Sequence, residues 1–519
     1  MTPQASSPHS PSARFRLPEF ACLLLFAGLS LYGLMHHELW RDETQAWLIV
    51  RESHSLAQLL ENIRYDGHPA LWFMALFALP DIQQGFLPAQ VLHYLIALAS
   101  AALLLFCSPF SRLERCLLLF GYFMLYEYTV IARNYGAGAL LLWAFCLSFR
   151  YLPRNAWLPG LVLGVLANTS MMGCLVAIAG VLALGTAALS GAWTIRARAS
   201  LATGLVVAAA GILAAAITMA PPADLAFGRG WLFSFDADRL TMVRNGFARA
   251  WFPLMNPELH FWDQWSIPYK LKLLLLGGAL GMAGLFAWRL APVRHAQMFF
   301  VAGIGGLLVF FYCGYPGYIR HHGFLFLVLV GAWWLYRQAA PPATTQTASG
   351  EQWMRRAFVG LLAVQAVAGV TAIGLERRYL FSGSAEVADY IRTTAPELPL
   401  SGYPDYIVGP VLAQLNDRPQ AYFLNGSRWG SFIRWDRQRA EPEPMPTETM
   451  ETRLCAFAAA ERRNVLVVLS LDAPLPAPRC GRLHLRMHTP EAVVGNEAYA
   501  LYELAYDAAS GVPFTQASQ

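Results

Sequence analysis

The chain has 519 residues, of which 56% are hydrophobic and only 14% charged, and its mean hydropathy is +0.39. Soluble globular chains carry about 25% charged residues, so this composition excludes an ordinary soluble protein and points to a polytopic membrane protein. The net charge of +5 is no sign of nucleic-acid binding, because in a membrane protein the placement of Lys and Arg among the loops matters more than their sum.

The chain opens on a polar, Pro/Ser-rich stretch, "MTPQASSPHSPSARFRLPEF", that ends near Arg14 and Arg16. No clear small-residue cleavage site follows, so residues 1–17 read as a cytoplasmic tail before an uncleaved first span. A span needs about 20 apolar residues. Candidate spans lie near 18–36, 87–107, 116–131, 135–149, 157–168, 171–190, 201–220, 271–288, 297–313, 323–336 and 357–374. The run "HPALWFMALFALP" at 68–80 contains Pro69, ends in Pro80 and is too short to cross. With that run kept on one side, Arg14 and Arg16 share a face with Arg112, Arg115, Arg150, Arg154, Arg196, Arg198, Arg289, Arg294, Arg337, Arg355 and Arg356. Counting it as a span would scatter these charges across both faces, so the positive-inside bias favours the first count. The expected fold class is therefore a polytopic α-helical membrane protein. It has eleven transmembrane helices over 18–374, a cytoplasmic N-terminus and a C-terminal extracytoplasmic α/β domain over 375–519. The outer face receives the first loop, 37–86, and a large loop, 221–268.

The first outer loop begins "HHELWRDETQAWLIV" (36–50), with Arg41, Asp42 and Glu43 between Trp40 and Trp47. Residues 43–51 and 55–64 have helical periodicity and read as amphipathic helices lying on the membrane surface. "YDGHP" (65–69) reads as a turn, which brings Asp66 and His68 into the same loop. For a lone acidic pair after a span, the ordinary reading is a helix start, where acids favour the first turn. Here His36, His37, Arg41, Asp66 and His68 share the loop with the pair, which favours a site. Later outer turns add Glu127 and Arg133 in "EYTVIARNYGAGALLLW" (127–143), and Arg320, His321 and His322 in "YPGYIRHHGFLFL" (315–327).

These pieces resemble the GT-C glycosyltransferases, in particular the branch that holds the protein O-mannosyltransferases and the lipid A aminoarabinose transferases. The resemblance rests on a first span, then an Asp-Glu pair in "WRDETQAW" (40–47), then "YDGHPALWF" (65–73), with Ala70 at the family's second proline. It extends in layout over about 15–395. It implies an integral-membrane glycosyltransferase. Such an enzyme moves a sugar from a polyprenyl-phosphate donor to a protein, lipid or polysaccharide acceptor on the extracytoplasmic side of the inner (plasma) membrane, usually with inversion. The family's first-loop Asp, a catalytic base or acceptor anchor, corresponds to Asp42, with Glu43 beside it.

The chemistry fits that reading. Glycosyl transfer needs a carboxylate for the acceptor proton and a cation for the leaving phosphate, and Arg suits bidentate phosphate contact. Arg133, Arg320 and Arg41 are the candidates, with Asp66, His68, Glu127 and His321 as further substrate-binding candidates. Snorkelling to the interface is the ordinary alternative for Arg133 and Arg320, and pairing with Arg133 is the alternative for Glu127. The aromatic loop 221–268, with Asp236, Asp238, Glu258, His260 and Asp263, reads as an aromatic belt or an acceptor groove. His260 with a first-loop acid would suit a divalent metal, but one His commits neither a metal nor another cofactor. The competing function is a transporter or flippase for a lipid-linked or small polar substrate. It predicts ionisable residues inside several spans and inverted repeats, and neither pattern is present.

After residue 375 the chain turns polar. Helices are expected near 384–394 and 446–462, and strands at 464–471, 482–488 and 500–506. Cys455 and Cys480 are the two Cys of this part and would pair if the compartment is oxidising.

Overall fold

The structure, a computed structural model, describes residues 17–190, 193–226, 230–340, 345–415, 418–439 and 443–507. The N-terminal tail with Arg14 and Arg16 lies outside the described residues. The first half of the chain contributes helices α1 (Leu17–His36), α2 (Arg41–Arg51), α3 (Leu56–Asn62), α4 (Leu71–Phe77), α5 (Leu87–Cys107), α6 (Arg112–Leu119), α7 (Tyr135–Ser148), α8 (Trp157–Ala167), α9 (Met171–Ser190) and α10 (Ile195–Thr218). There follow α11 (Ala237–Trp251), α12 (Tyr269–Arg289), α13 (Arg294–Cys313), α14 (Ile319–Ala339) and α15 (Thr345–Arg378).

Seven of these helices, α1, α5, α9, α10, α12, α13 and α15, are long and apolar enough to cross a membrane. The chain is a polytopic membrane protein. The other four expected spans differ from that standard in instructive ways. Helices α7 and α8 are short, at 14 and 11 residues. Helix α14 has 21 residues and is buried from Ile319 to Tyr336; the polar turn Arg320–His322 and the neighbouring tryptophans lower its hydropathy. The segment expected at 116–131 is not one helix: α6 stops at Leu119 and a π-helical turn, Tyr122–Glu127, follows Gly121. Irregular backbone is tolerated at membrane depth only where protein covers it, and every residue of that turn is buried.

The first loop corrects one expectation. Helix α2 is not a surface helix, because every residue from Glu43 to Arg51 is buried. Trp40 and Trp47 are 1% and 0% exposed, and the Trp47 indole donates to the Ile82 carbonyl at 2.7 Å. The two tryptophans are core residues. The physical reason is that α4, Ile82, Phe86 and the start of α5 cover the apolar face of α2, and the C-terminal part of the chain covers the polar face that would otherwise meet water. Gln45 exchanges two 2.9 Å hydrogen bonds with the backbone of Ile433, and Arg51 donates to the Pro419 carbonyl at 2.8 Å. Ser55 caps α3 by accepting from the Gln58 N–H at 3.2 Å. Gly67 then turns the chain at φ +76°, a left-handed value that glycine adopts without strain. Helix α4 has seven residues and does not cross.

The C-terminal part holds helices α16 (Ser384–Thr394), α17 (Asp405–Gln414) and α18 (Thr447–Glu461). Its strands are β1 (Leu400–Tyr403), β2 (Ala421–Phe423), β3 (Arg428–Gly430), β4 (Val465–Ser470), β5 (Gly481–His488) and β6 (Tyr499–Tyr506). They form one mixed sheet in the order β3-β2-β1-β4-β6-β5. Strand β1 runs parallel to β2 and β4, and the other pairs are antiparallel. The all-apolar "VLVVL" of β4 suits a central strand covered on both faces. Val387, Ile391, Ile407 and Val411 pack on one face, and Met450, Leu454 and Phe457 on the other. A Cys455–Cys480 disulfide ties α18 to the start of β5.

Candidate functional site

A cavity of about 1100 Å³ opens where the first loop, the turns before α7 and α14, helix α11, and the C-terminal part converge. Seven of the nine residues singled out from sequence line it: Arg41, Asp42, Asp66, His68, Arg133, Arg320 and His321.

Asp42 occupies the second position of α2, and its side chain is 26% exposed. Its Oδ2 accepts from Arg320 Nη2 at 2.8 Å, while its backbone carbonyl accepts from Arg133 Nη1. Burial pushes the Asp42 carboxyl up, but the guanidiniums of Arg320, Arg133 and Arg41 outweigh it and hold the group below the usual Asp value. Arg320 lies among Trp40, Trp262 and Tyr318, with its guanidinium carbon 5.0, 5.6 and 4.7 Å from their ring centroids. Trp40 and Trp262 meet edge to face at 4.8 Å, which keeps that aromatic wall rigid. The Nε of Arg133 and the Nε of Arg320 are both buried without a partner among the described residues. Buried donors are normally paired, so two guanidiniums with unused N–H groups beside one cavity are suited to an anion.

A second chain of groups runs along the cavity. A backbone N–H can only donate, so His321 Nδ1 accepts from Tyr318 N–H at 2.9 Å. The uncharged His321 ring then carries its proton on Nε2 and donates to the Tyr135 hydroxyl at 2.9 Å. That hydroxyl faces His68 Nε2 at 3.5 Å, which leaves His68 Nδ1–H to donate to Asp66 Oδ2 at 2.8 Å. Burial pushes the Asp66 carboxyl up, and the His68 bond and charge outweigh it and hold it below the ordinary value. His322 lies one residue beyond this chain. It donates to the Pro316 carbonyl at 2.7 Å and packs so close to α11 that a side-chain carbon at Gly246 would come within 2.4 Å of its ring.

Glu43 and Glu127 lie off the cavity. Glu43 is 1% exposed and accepts from Ala132 N–H at 2.5 Å, His37 Nε2 at 2.8 Å and Trp40 N–H at 3.4 Å. His37 also bonds Glu376 of α15 at 2.7 Å. Burial disfavours the charged His37 ring, but the flanking carboxylates Glu43 and Glu376 outweigh that and raise its pKa well above the ordinary value. Glu43 thus pins the start of α2 to the 128–134 turn and to α15. Glu127 accepts from the Tyr122 hydroxyl at 2.8 Å and the Trp262 indole at 3.0 Å. The alternative pairing of Glu127 with Arg133 does not form, because Arg133 donates instead to the Asp42 carbonyl. His260 turns to the Val493 carbonyl at 3.1 Å and not to a first-loop acid. Among the described residues no group of three or more His, Cys, Asp or Glu is placed to hold a metal ion.

Sequence reading gave no role to Tyr135, Tyr318 or the 493–497 turn, and offered Trp262 only as part of the aromatic loop 221–268. Tyr135 stands two residues after Arg133 in a segment already singled out, so the spacing was available. Nothing in the local sequence around 493–497 announces a neighbour of Asp42.

No protein-family model matches the chain, and no curated protein matches it in sequence. Among solved structures it is similar to ArnT from Cupriavidus metallidurans bound to undecaprenyl phosphate, at 15% identity and a TM-score of 0.48, over 96% of this chain and 99% of that one. It is similar to apo ArnT from the same organism at 17% identity and a TM-score of 0.47, over 96% of this chain and 100% of that one. It is also similar to the arabinofuranosyltransferase AftD from Mycobacteria, at 12% identity and a TM-score of 0.39, over 96% of this chain and 40% of that one.

Proposed function

We propose that this chain is an integral-membrane glycosyltransferase that transfers a sugar from a polyprenyl-phosphate-linked donor to an acceptor at the extracytoplasmic face, with Asp42 as its catalytic carboxylate. One observation carries the reading: a single cavity brings the Asp42 carboxylate against Arg133 and Arg320, each with an unused buried Nε–H. The acceptor's O–H or N–H attacks the anomeric carbon, and Asp42 takes the proton. The bond from the anomeric carbon to the phosphate oxygen breaks, and the polyprenyl phosphate leaves with the electron pair and its charge on the guanidiniums. This single displacement inverts the anomeric carbon.

The ion pair supplies the timing. While Arg320 is held at 2.8 Å from Asp42, the carboxylate is a weak base. A donor phosphate that draws on the same guanidinium weakens that hold and raises the basicity of Asp42 only when donor is bound. Asp66, His68, Tyr135 and His321 line the route for proton exchange or acceptor binding. Two features support an extracytoplasmic cavity. The Cys455–Cys480 disulfide belongs to the part of the chain that closes the cavity and fits an oxidising compartment. The Arg-rich loops holding Arg112, Arg115, Arg150 and Arg337 belong to the opposite ends of the spans, as the positive-inside bias requires.

The test is Asp42→Asn in membranes of the producing strain, which hold the endogenous donor and acceptor. Loss of transfer with normal protein abundance is expected. Wild-type turnover overturns the role of Asp42, and substrate accumulation in sealed vesicles without a covalent product overturns the transferase reading.

A further inference from the structure

The turn Val493–Glu497, between β5 and β6, reaches both walls of the cavity. On one side His260 donates to the Val493 carbonyl at 3.1 Å, and the Gly495 N–H reaches Asp263 Oδ2 at 3.4 Å. On the other side Asn496 Oδ1 accepts from Arg41 Nη1 at 2.5 Å, and Glu497 Oε1 accepts from the Arg41 backbone N–H at 3.1 Å. The turn is itself firmly seated. Val493 and Val494 donate to Leu380 and Phe381, and Gly383 donates to the Glu497 carbonyl at 3.0 Å.

Arg41 is the first residue of α2, and its N–H has no acceptor within the helix. Glu497 is fully buried, and a buried carboxylate is costly unless paired. Its partner here is the end of α2, where the helix dipole favours negative charge. Asp42 is the next residue, so whatever holds the Arg41 N–H also sets where the Asp42 side chain begins. We propose, resting on the glycosyl-transfer reading of this cavity, that the Val493–Glu497 turn positions the Asp42 carboxylate, Glu497 by holding the Arg41 N–H and Asn496 by holding its guanidinium. The C-terminal part of the chain then acts on the chemistry through this turn as well as shaping the cavity. The groups facing Glu497 are Arg41, Asp42, Ser382 and Tyr499. Burial pushes its carboxyl up to about 7 against the pull of Arg41. The ionised form is the stronger acceptor, so the hold on α2 tightens as pH rises through neutrality.

The experiment uses the full chain in lipid nanodiscs, with peptide-resolved hydrogen exchange of wild type, Glu497→Ala, Glu497→Gln, Asn496→Ala and Asp42→Asn at one pH. Transfer in membranes of the producing strain is followed from pH 5.5 to 8.5. Glu497→Ala is expected to speed exchange over residues 40–46 at least tenfold while β4 keeps its wild-type rate. Glu497→Gln, which keeps an acceptor oxygen, is expected to fall between them. Wild-type transfer is expected to rise along a limb centred near pH 7, and Glu497→Gln to lack that limb. Where Glu497→Ala also loosens β4, the glutamine and Asn496→Ala variants decide by the same criterion. Wild-type exchange over 40–46 in these variants, or a limb unchanged in Glu497→Gln, overturns the proposal. Asp42→Asn separates the two readings: it should leave exchange over 40–46 unchanged and abolish transfer. Full transfer in Asp42→Asn beside faster exchange in Glu497→Ala defeats the catalytic assignment and leaves the hold on α2 standing.

Discussion

Arg320 and Asp42 stand 278 positions apart in the chain and 2.8 Å apart in the fold. The pair joins the first loop to the start of α14 across the wall of the cavity. On the proposed function its members would part when donor binds, because only the arginine can hold a phosphate.

Replacing either arginine tests that division. Hydrogen bonds to a charged group contribute about 1.5–3 kcal/mol, so on the proposed function Arg320→Ala and Arg133→Ala should each weaken binding of a polyprenyl phosphate by roughly 10- to 100-fold. Quenching of tryptophan fluorescence is a direct readout, since Trp40 and Trp262 flank Arg320. Arg320→Lys should recover only part of the loss, because an ammonium lacks the forked donor geometry.

The same pair has a pH signature. The Asp42 carboxyl is held below its ordinary value of 3.8, so its contribution to stability is present above that pH and lost as pH falls through the lower folded value. Thermal midpoints of wild type should therefore drop on acidification below about pH 4. Arg320→Ala should be less stable at neutral pH and should show a shallower drop.

Glu43 is expected to matter for stability rather than for chemistry. Glu43→Ala leaves the Ala132 N–H unpaired and strips the buried His37 of one of its two carboxylates, at a cost of about 3 kcal/mol. Activity per folded molecule should then stay near wild type. A variant that melts like wild type but fails to transfer would return Glu43 to the chemistry.

Glu497 gives the opposite sign from Asp42. Its carboxyl is raised from the ordinary 4.5 to about 7, so between those values the unfolded chain has lost a proton that the folded chain keeps. Stability falls as pH rises through that window, by up to roughly 3 kcal/mol. Glu497→Gln should melt higher than wild type at pH 8 and lose that advantage by pH 5. It should be the less active protein at pH 8, so stability and activity part company at this one residue.

Tyr135→Phe should leave the fold intact and interrupt the link between His68 and His321. A loss of about tenfold in transfer, typical for a buried hydrogen bond of roughly 1.4 kcal/mol, is expected with protein abundance unchanged.

Sequence alone determined the membrane class, helices at ten of the eleven apolar segments in outline, and strands expected at 464–471, 482–488 and 500–506 that the structure places within one residue of those bounds. It also singled out seven residues that line one cavity. These are local matters: apolar length and alternation are readable within a short window, and clustered ionisable residues beside spans are rare enough to stand out. Tertiary structure decided the rest. Whether Glu43 faces the cavity or anchors a helix depends on His37, Ala132 and Glu376. Whether α2 lies on a membrane or inside protein depends on Gln45 meeting Ile433, 388 positions away. A periodic apolar face tells only that something covers it. The partner, whether lipid or a distant part of the same chain, is chosen by packing between segments that no local pattern connects.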